Sequence, residues 1–351
     1  MQMKISKKYL NKKFWTNKKV LITGINGFIG GNLAKKLVEL GATVTGISNN
    51  KAKNKFLIFE KIDSGVKLIH ADIVDYKKIS SIIKKGKFSV CFHLAAQVDV
   101  NVARNDPFIT YETNIKGTYN ILEAIRKTKT IKSIIVASSD KAYGEYKFKD
   151  LPYKEEYDLR PKYPYDVSKA AADLISKAYS TDIFGVPIII TRFSNIYGPG
   201  QLNFSALIPD CIAANLGIKK FTPRGNGQNK RDFLFVEDVV DLYLCLSHAL
   251  YLKKDLSGEI FNAGTGKGYR VRDIIKMICK INNNTSLFND IAATFKGRRL
   301  TGEISHQFMT YDKLYKTLKW KPSYDLNKGL EITINWYRKF LSKNNYKDFP
   351  K

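Results

Sequence analysis

The feature that most restricts this chain is a glycine-spaced loop set between a strand and a helix near its start. An apolar run, Lys19–Thr23, leads straight into Gly24-Ile25-Asn26-Gly27-Phe28-Ile29-Gly30. The following stretch, Phe28–Leu40, carries Ile29, Leu33, Leu37 and Leu40 at helical spacing. Gly24 permits the sharp turn, Gly27 lets backbone approach a pyrophosphate, and Gly30 lets the helix pack closely on a sheet. The helix N-terminus offers unpaired N–H groups and partial positive charge to that anion. Between a strand and a helix, this spacing points to a dinucleotide-binding domain.

Alternation continues downstream. Thr43–Ile47, Lys67–Ala71, Ser89–Leu94, Ile131–Ala137 and Pro187–Thr191 read as further short strands. Tyr111–Lys127 and Pro164–Thr181 read as helices between them. Strand and helix in turn imply parallel crossovers, so the fold class is α/β with a doubly wound parallel sheet. After residue 200 the pattern loosens, with a helix at Val239–Leu252 and a strand at Glu259–Asn262. Residues 1–17 read as a basic extension. Residues 18–200 form the Rossmann-type domain, joined by a returning segment at about 232–266. Residues 201–231 and 267–345 make a smaller C-terminal α/β cap for substrate.

With 59 Lys+Arg against 32 Asp+Glu, the formal net charge of the 351 residues is +27. Lysine is spread along the whole chain with no block of five, so nucleic-acid binding is not expected and polyanion binding without catalysis is a distant alternative. No run of eighteen apolar residues appears, so no membrane span is expected. Residues 1–15 lack an apolar signal core. Cys91, Cys211, Cys245 and Cys279 stand far apart, which favours a reducing cytoplasm over a disulfide framework. His93 and His306 have no metal-ligand neighbours in the pattern, so both read as core residues and no metal is expected.

Strand ends and one helix supply the candidate chemistry. Five Tyr-x-x-x-Lys pairs occur, at Tyr9, Tyr143, Tyr165, Tyr315 and Tyr324. Only Tyr165/Lys169 opens a long helical stretch downstream of a strand that ends in hydroxyls, Ser138-Ser139. The spacing puts phenol and ammonium one turn apart on one face, where Lys⁺ favours phenolate. In open α/β sheets the strand C-terminal ends face the cofactor crevice, so Ser139 and Tyr165 converge there. At the end of the second strand stands Ser48, not an acid, with Lys51 nearby. That leaves room for the 2′-phosphate of NADP. Asp72, after the third strand, reads either as an adenine acceptor or as a turn carboxylate. Gly264-Thr265-Gly266-Lys267-Gly268 lacks P-loop spacing and reads as a turn.

These motifs, with His93-Leu94-Ala95-Ala96-Gln97 and Asn114-x-x-Gly117-Thr118, resemble the extended short-chain dehydrogenase/reductase superfamily of nucleotide-sugar epimerases and dehydratases. The resemblance runs from Phe14 to about Tyr337. Phe14-Trp15, Gly41–Gly46, Ser139-Asp140-Lys141, Tyr163–Lys169 and Leu207–Ile212 are similar to CDP-glucose 4,6-dehydratases. At Ile29, Tyr197–Gly200 and Asp232–Phe235 the chain follows the broader family. That group uses NAD with a serine at the Ser48 position, which points to NAD over NADP.

The resemblance implies a nucleotide-diphosphate-sugar 4,6-dehydratase, with a 4-epimerase as the alternative. It assigns Tyr165 as base at C4, Lys169 as its partner, and Ser139 as donor to the C4 oxygen. Asp140 becomes the acid for the departing C6 hydroxyl, and Lys141 a helper at C5. Cofactor contacts are implied for Gly24, Asn26, Gly27, Phe28, Ile29, Gly30, Ser48, Asp72, Ile73, Leu94, Ala95, Ala96, Asn114, Ser138 and Phe193. Gln97, Asn195, Asn203, Arg231 and Arg298 are implied for the sugar diphosphate. The family also implies a homodimer through two helices per subunit, Tyr111–Lys127 and Pro164–Thr181.

Overall fold

The computed structural model describes residues 11–50, 55–295 and 303–345. Strands in chain order are β1 (Lys19–Thr23), β2 (Thr43–Ser48), β3 (Val66–His70), β4 (Val90–His93), β5 (Ser133–Ala137) and β6 (Ile188–Phe193). The later ones are β7 (Asn195–Tyr197), β8 (Lys230–Arg231), β9 (Phe233–Phe235), β10 (Ile260–Ala263), β11 (Tyr269–Arg270) and β12 (His306–Gln307).

Val20, Leu21 and Ile22 are wholly buried on both sides of β1, as a strand covered on two faces requires. Seven strands pair in parallel in the order β3-β2-β1-β4-β5-β6-β10. The order reverses between β1 and β4, and Thr23 lies opposite His93 there. Loops leaving those two C-terminal ends therefore frame the crevice. One face carries helices Phe28–Glu39 and Val236–Leu252 over Val20, Ile22 and Phe92. The opposite face carries helices Tyr76–Gly86 and Gly117–Thr128 over Leu21, Cys91 and Ile134. The α/β doubly wound expectation holds, with strand bounds shifted by one or two residues.

A second core gathers Ile208, Cys211, Ile274, Ile278, Leu330 and Tyr337 from helices Leu207–Asn215, Val271–Ile281 and Leu326–Leu341. Two small sheets, β11-β8-β12 and β7-β9, tie it to the large sheet. The four cysteines are free, buried thiols.

Two expectations change. Of the expected extension 1–17, the described part enters the fold: Trp15 on the short helix Lys12–Trp15 is wholly buried in the main core. Phe14 stacks on His248 at 3.8 Å and meets the Tyr251 ring edge-on. The single helix expected at Tyr111–Lys127 is in fact three pieces. Pro107–Tyr111, capped by Asp106, passes through a π turn at Glu112–Lys116 into Gly117–Thr128. A π turn adds one residue per turn and so re-aims the side chain it carries, here Asn114.

Candidate active site

The glycine loop needs its glycines. Gly24 sits at φ +74, where a side chain is strained, and a methyl there would lie 2.8 Å from the Ala95 backbone. One at Gly30 would lie 2.3 Å from the Gly24 carbonyl oxygen. Gly27 caps helix Phe28–Glu39 with no side-chain hydrogen bond and no acid in the first turn. The first N–H groups thus stay open to an anion, and the loop fits a pyrophosphate. Thr23 Oγ1 holds the facing loop by accepting the Leu94 and Ala95 N–H groups, each at 3.2 Å. His93 is clasped between the Thr23 and Thr118 hydroxyls at 2.8 and 3.1 Å. Burial, with the nearby Lys169 charge, pushes its imidazole down to about 3, so it serves as a neutral tie inside the core.

Around this loop the other expected cofactor residues sort themselves. Asn26 donates to Ser48 Oγ at 3.0 Å, closing the end of β2 against the loop. Asp72 is exposed and accepts the Val74 N–H at 3.0 Å, which is the turn reading. Ile73 is buried and packs where a side chain on Gly117 would stand. Ser138 hydrogen-bonds the Lys169 carbonyl at 3.4 Å.

Three residues expected to contact ligand have protein partners. Asn114 accepts from Gln97 N at 2.7 Å and donates to Gln97 O and Ser168 Oγ, so its amide clamps the loop after β4. Gln97 donates to Asp99 O and Thr110 Oγ1 and accepts the Asp99 N–H, so it braces its own loop and does not line the cavity. Phe193 points into the core, 5.1 Å from the Tyr243 ring. A strand buried on both faces leaves its last aromatic little choice.

Four of the five candidate catalytic residues meet at one cavity. Ser139, Asp140, Lys141 and Tyr165 line one cavity of about 410 Å³ together with Ser194, Asn195, Asn203 and Arg231. Pro164 opens helix Pro164–Tyr179 and Tyr165 follows it, so Tyr165 and Lys169 share a face one turn apart. Lys169 is buried and donates to Ala137 O at 2.5 Å. Desolvation pulls its ammonium down to about 8, against the Asp173 charge that raises it. Burial and the neighbouring Asp140 charge push the Tyr165 phenol up, while Ser139, within hydrogen-bonding reach, pulls it back. The Lys169 ammonium, expected to favour the Tyr165 phenolate, is turned toward the β5 carbonyl.

Asp140 is 4% exposed. Ser139 Oγ donates to its Oδ1 at 3.1 Å, and its Oδ2 has no partner among the described residues. Burial raises its carboxyl above the ordinary carboxylate range, opposed by the Lys141 and Arg231 charges. Lys141 is half-buried, with Nζ 3.5 Å from Gln307 Oε1. Farther along the cavity, Arg231 donates to Lys230 O, Ser305 O and Glu303 Oε2 at 2.9, 3.2 and 3.2 Å. Asn195 donates to Asp232 O, and Asn203 Oδ1 accepts from the Ser205 N–H and hydroxyl. Arg298 and Lys51 lie outside the described residues. The Gly264–Gly268 segment is a turn clasped by Asp232, which accepts from Thr265 N, Thr265 Oγ1 and Gly266 N.

Several cavity residues were not foreseen. Ser194 has a buried hydroxyl with no partner among the described residues. Arg224 donates to Ser205 O at 2.8 Å, and Glu303 stands beside Arg231. Outside the cavity lining, Asp166, next to Tyr165 in the chain, is buried near Asp140 and Lys141 and pushed up by burial to about 6. A buried aspartate inside Tyr-Asp-Val-Ser-Lys was the readable signal for that last one.

A model of the family described as GDP-mannose 4,6 dehydratase matches residues 21–333. The chain belongs to that family. A trifunctional UDP-glucose 4,6-dehydratase/UDP-4-keto-6-deoxy-D-glucose 3,5-epimerase/UDP-4-keto-L-rhamnose-reductase of Arabidopsis thaliana is 31% identical over 329 residues, 92% of this chain and 47% of that protein. The chain thus spans about half of that relative's length. A putative UDP-glucose 4-epimerase of Methanocaldococcus jannaschii is 30% identical over 324 residues, covering 91% of this chain and 98% of that one. Among solved structures, a dTDP-glucose 4,6-dehydratase from Bacillus anthracis in complex with NAD superposes with TM-score 0.78 at 29% identity, over 92% of this chain and 97% of that one. The relatives are thus nucleotide-sugar 4,6-dehydratases and epimerases, and the resemblance to extended short-chain dehydrogenases/reductases holds. A CDP-glucose 4,6-dehydratase of Salmonella typhimurium is 27% identical over 343 residues, 95% of this chain and 94% of that one, so cytidine stands beside uridine and thymidine without being singled out. Among the described residues no helix is long and apolar enough to cross a membrane.

Proposed function

We propose that the protein is an NAD-dependent nucleotide-diphosphate-sugar 4,6-dehydratase, acting on CDP-glucose or a related hexose nucleotide. One observation carries the reading. A buried carboxyl with a free oxygen, Asp140, shares a cavity wall with Tyr165. Water elimination needs such a proton donor and simple inversion at C4 does not.

Gly24, Gly27 and Gly30 would hold the pyrophosphate of NAD at the helix N-terminus, with the Asn26–Ser48 pair beside the ribose. Bound there, NAD would accept the C4 hydride, add positive charge beside the phenol and return the hydride to C6. Tyr165 takes the C4 hydroxyl proton, and Ser139 donates to the C4 oxygen. The C4 ketone acidifies the C5 hydrogen, which Lys141 takes as a proton and gives back to C5 when C6 is reduced. Asp140, whose carboxyl burial raises above the ordinary carboxylate range, gives a proton to the leaving C6 hydroxyl, and one water departs. Arg231, Asn195 and Asn203 stand along the cavity for the diphosphate and sugar, since a guanidinium fork suits phosphate oxygens.

The same reading takes 18–200 with about 232–266 as the cofactor unit, and 201–231 with 267–345 as the cap. It takes the molecule as a homodimer, supported by Phe108, Ile109, Tyr119 and Leu174, which expose apolar surface on the expected helices or next to them. Free thiols support a cytoplasmic setting.

A panel of CDP-, GDP-, UDP- and dTDP-hexoses, read by mass spectrometry and by 4-keto absorbance in alkali, tests the proposal. Loss of one water from any member supports it. The 4-epimerase reading, favoured by the archaeal relative, is the winner if every member comes back at unchanged mass with inversion at C4.

A further inference from the structure

Behind the cavity wall lies a buried polar chain that the reaction above does not use. It begins on the helix of the base. Asp173, one turn beyond Lys169 on helix Pro164–Tyr179, is 1% exposed. Its two oxygens accept Arg192 Nε at 2.8 Å and Arg192 NH2 at 3.0 Å, a fork-on-fork pair. Arg192 comes from β6, and its third nitrogen, NH1, donates to Tyr143 Oη at 2.9 Å. The guanidinium also lies 4.7 Å from the Tyr143 ring centre. Tyr143 in turn donates to Asn262 Oδ1 on β10 at 2.8 Å and stacks on Tyr153 at 4.8 Å.

Tyr143 closes the 3-10 turn Asp140–Tyr143, which begins with the acid and its lysine. The chain therefore runs from the element carrying Tyr165 and Lys169 to the element carrying Asp140 and Lys141. None of Asp173, Arg192, Tyr143, Tyr153 and Asn262 lines the cavity. A buried ion pair of this kind adds little net stability, because desolvation offsets the attraction. Its two-pronged geometry does fix direction and distance.

Resting on the dehydratase reading, we propose that Asp173, Arg192 and Tyr143 are positioning residues that hold the Asp140–Lys141 turn at working distance from Tyr165. A four-residue turn has no ladder of its own to keep its place. Small displacements of an acid from its leaving group cost rate steeply, on the order of 10–100-fold for about 1 Å.

The test is Tyr143→Phe, which keeps the ring and its stack and removes the hydroxyl link. In the full-length enzyme, kcat for dehydration falls roughly 10-fold or more while KM for the nucleotide sugar stays within about two-fold. Asp173→Asn adds a second readout. It withdraws the charge that holds Lys169 up, so the alkaline fall of kcat moves to lower pH. Tyr143→Phe turning over as fast as wild type overturns the proposal, whether or not the Asn variant folds. So does a loss that follows the unfolded fraction alone, with kcat per folded molecule unchanged. A wild type that yields no 4-keto-6-deoxy product removes the dehydratase reading and the brace with it, whereas a dehydrating wild type with an indifferent Tyr143→Phe removes the brace alone.

Discussion

The two sides of the cavity are built in opposite ways. Tyr165 and Lys169 sit on a sixteen-residue helix whose own backbone bonds set their spacing. Asp140 and Lys141 sit on a four-residue 3-10 turn that relies on side chains from β6, β10 and the base helix. One side carries its geometry in local sequence and the other borrows it from distant strands. The difference teaches where each kind of chemistry tolerates change. Substitutions on the distant strands β6 and β10 should leave the helical side alone and disturb the turn.

Three changes probe that contrast. The largest effect belongs to Tyr165→Phe, which removes the proposed C4 base while leaving helix and packing in place. Turnover should fall roughly 10³-fold, read as product per folded enzyme, with nucleotide-sugar affinity by calorimetry nearly unchanged. Next comes Asp140→Asn, isosteric and still able to accept from Ser139. Dehydration should drop on the order of 100-fold. The phenol of Tyr165, relieved of the Asp140 charge, should become easier to ionise. Deuterium incorporation at C5 from heavy water would reveal oxidation continuing without elimination. Retention of full dehydration by this variant would mean that another group donates the proton.

The smallest effect is on stability. Burial raises Asp166 to about 6 from an ordinary 3.8. Its folded form binds the proton more tightly than the unfolded chain, so its contribution is full below about 4 and is lost as pH rises through 6. At pH 7.5 the ionised, buried carboxylate costs stability. Asp166→Asn should therefore raise the thermal midpoint by roughly 2–4 °C at pH 7.5, with the gain vanishing near pH 4. A uniform shift at both pH values would point to packing instead of charge.

Much of the framework was legible because it obeys local rules. β1, the Gly24–Gly30 turn and helix Phe28–Glu39 follow from periodicity and glycine spacing alone. Choosing Tyr165 among five Tyr-x-x-x-Lys pairs needed only a strand ending in hydroxyls upstream. What escaped reading was long-range partnership. Asn114 and Gln97 look like ligand residues in sequence, yet each has a protein partner that only the fold brings near. The π turn at Glu112–Lys116 leaves no mark in apolar spacing. Tyr143 headed a discarded Tyr-x-x-x-Lys match, and its link to Arg192 spans 49 residues. Arg231 was foreseen from its chemistry, but its Glu303 neighbour comes from 72 residues onward.

The seating of Phe14 and Trp15 carries a consequence for how the chain comes off the ribosome. Trp15 is sealed in the core and Phe14 lies on His248 and Tyr251 of helix Val236–Leu252. Those partners are synthesised more than two hundred residues later. Trp15 can meet Phe92 earlier, but until they emerge Phe14 lacks the rings it lies against. Closing the β1 layer thus waits on a helix more than two hundred residues after the glycine loop's own strand.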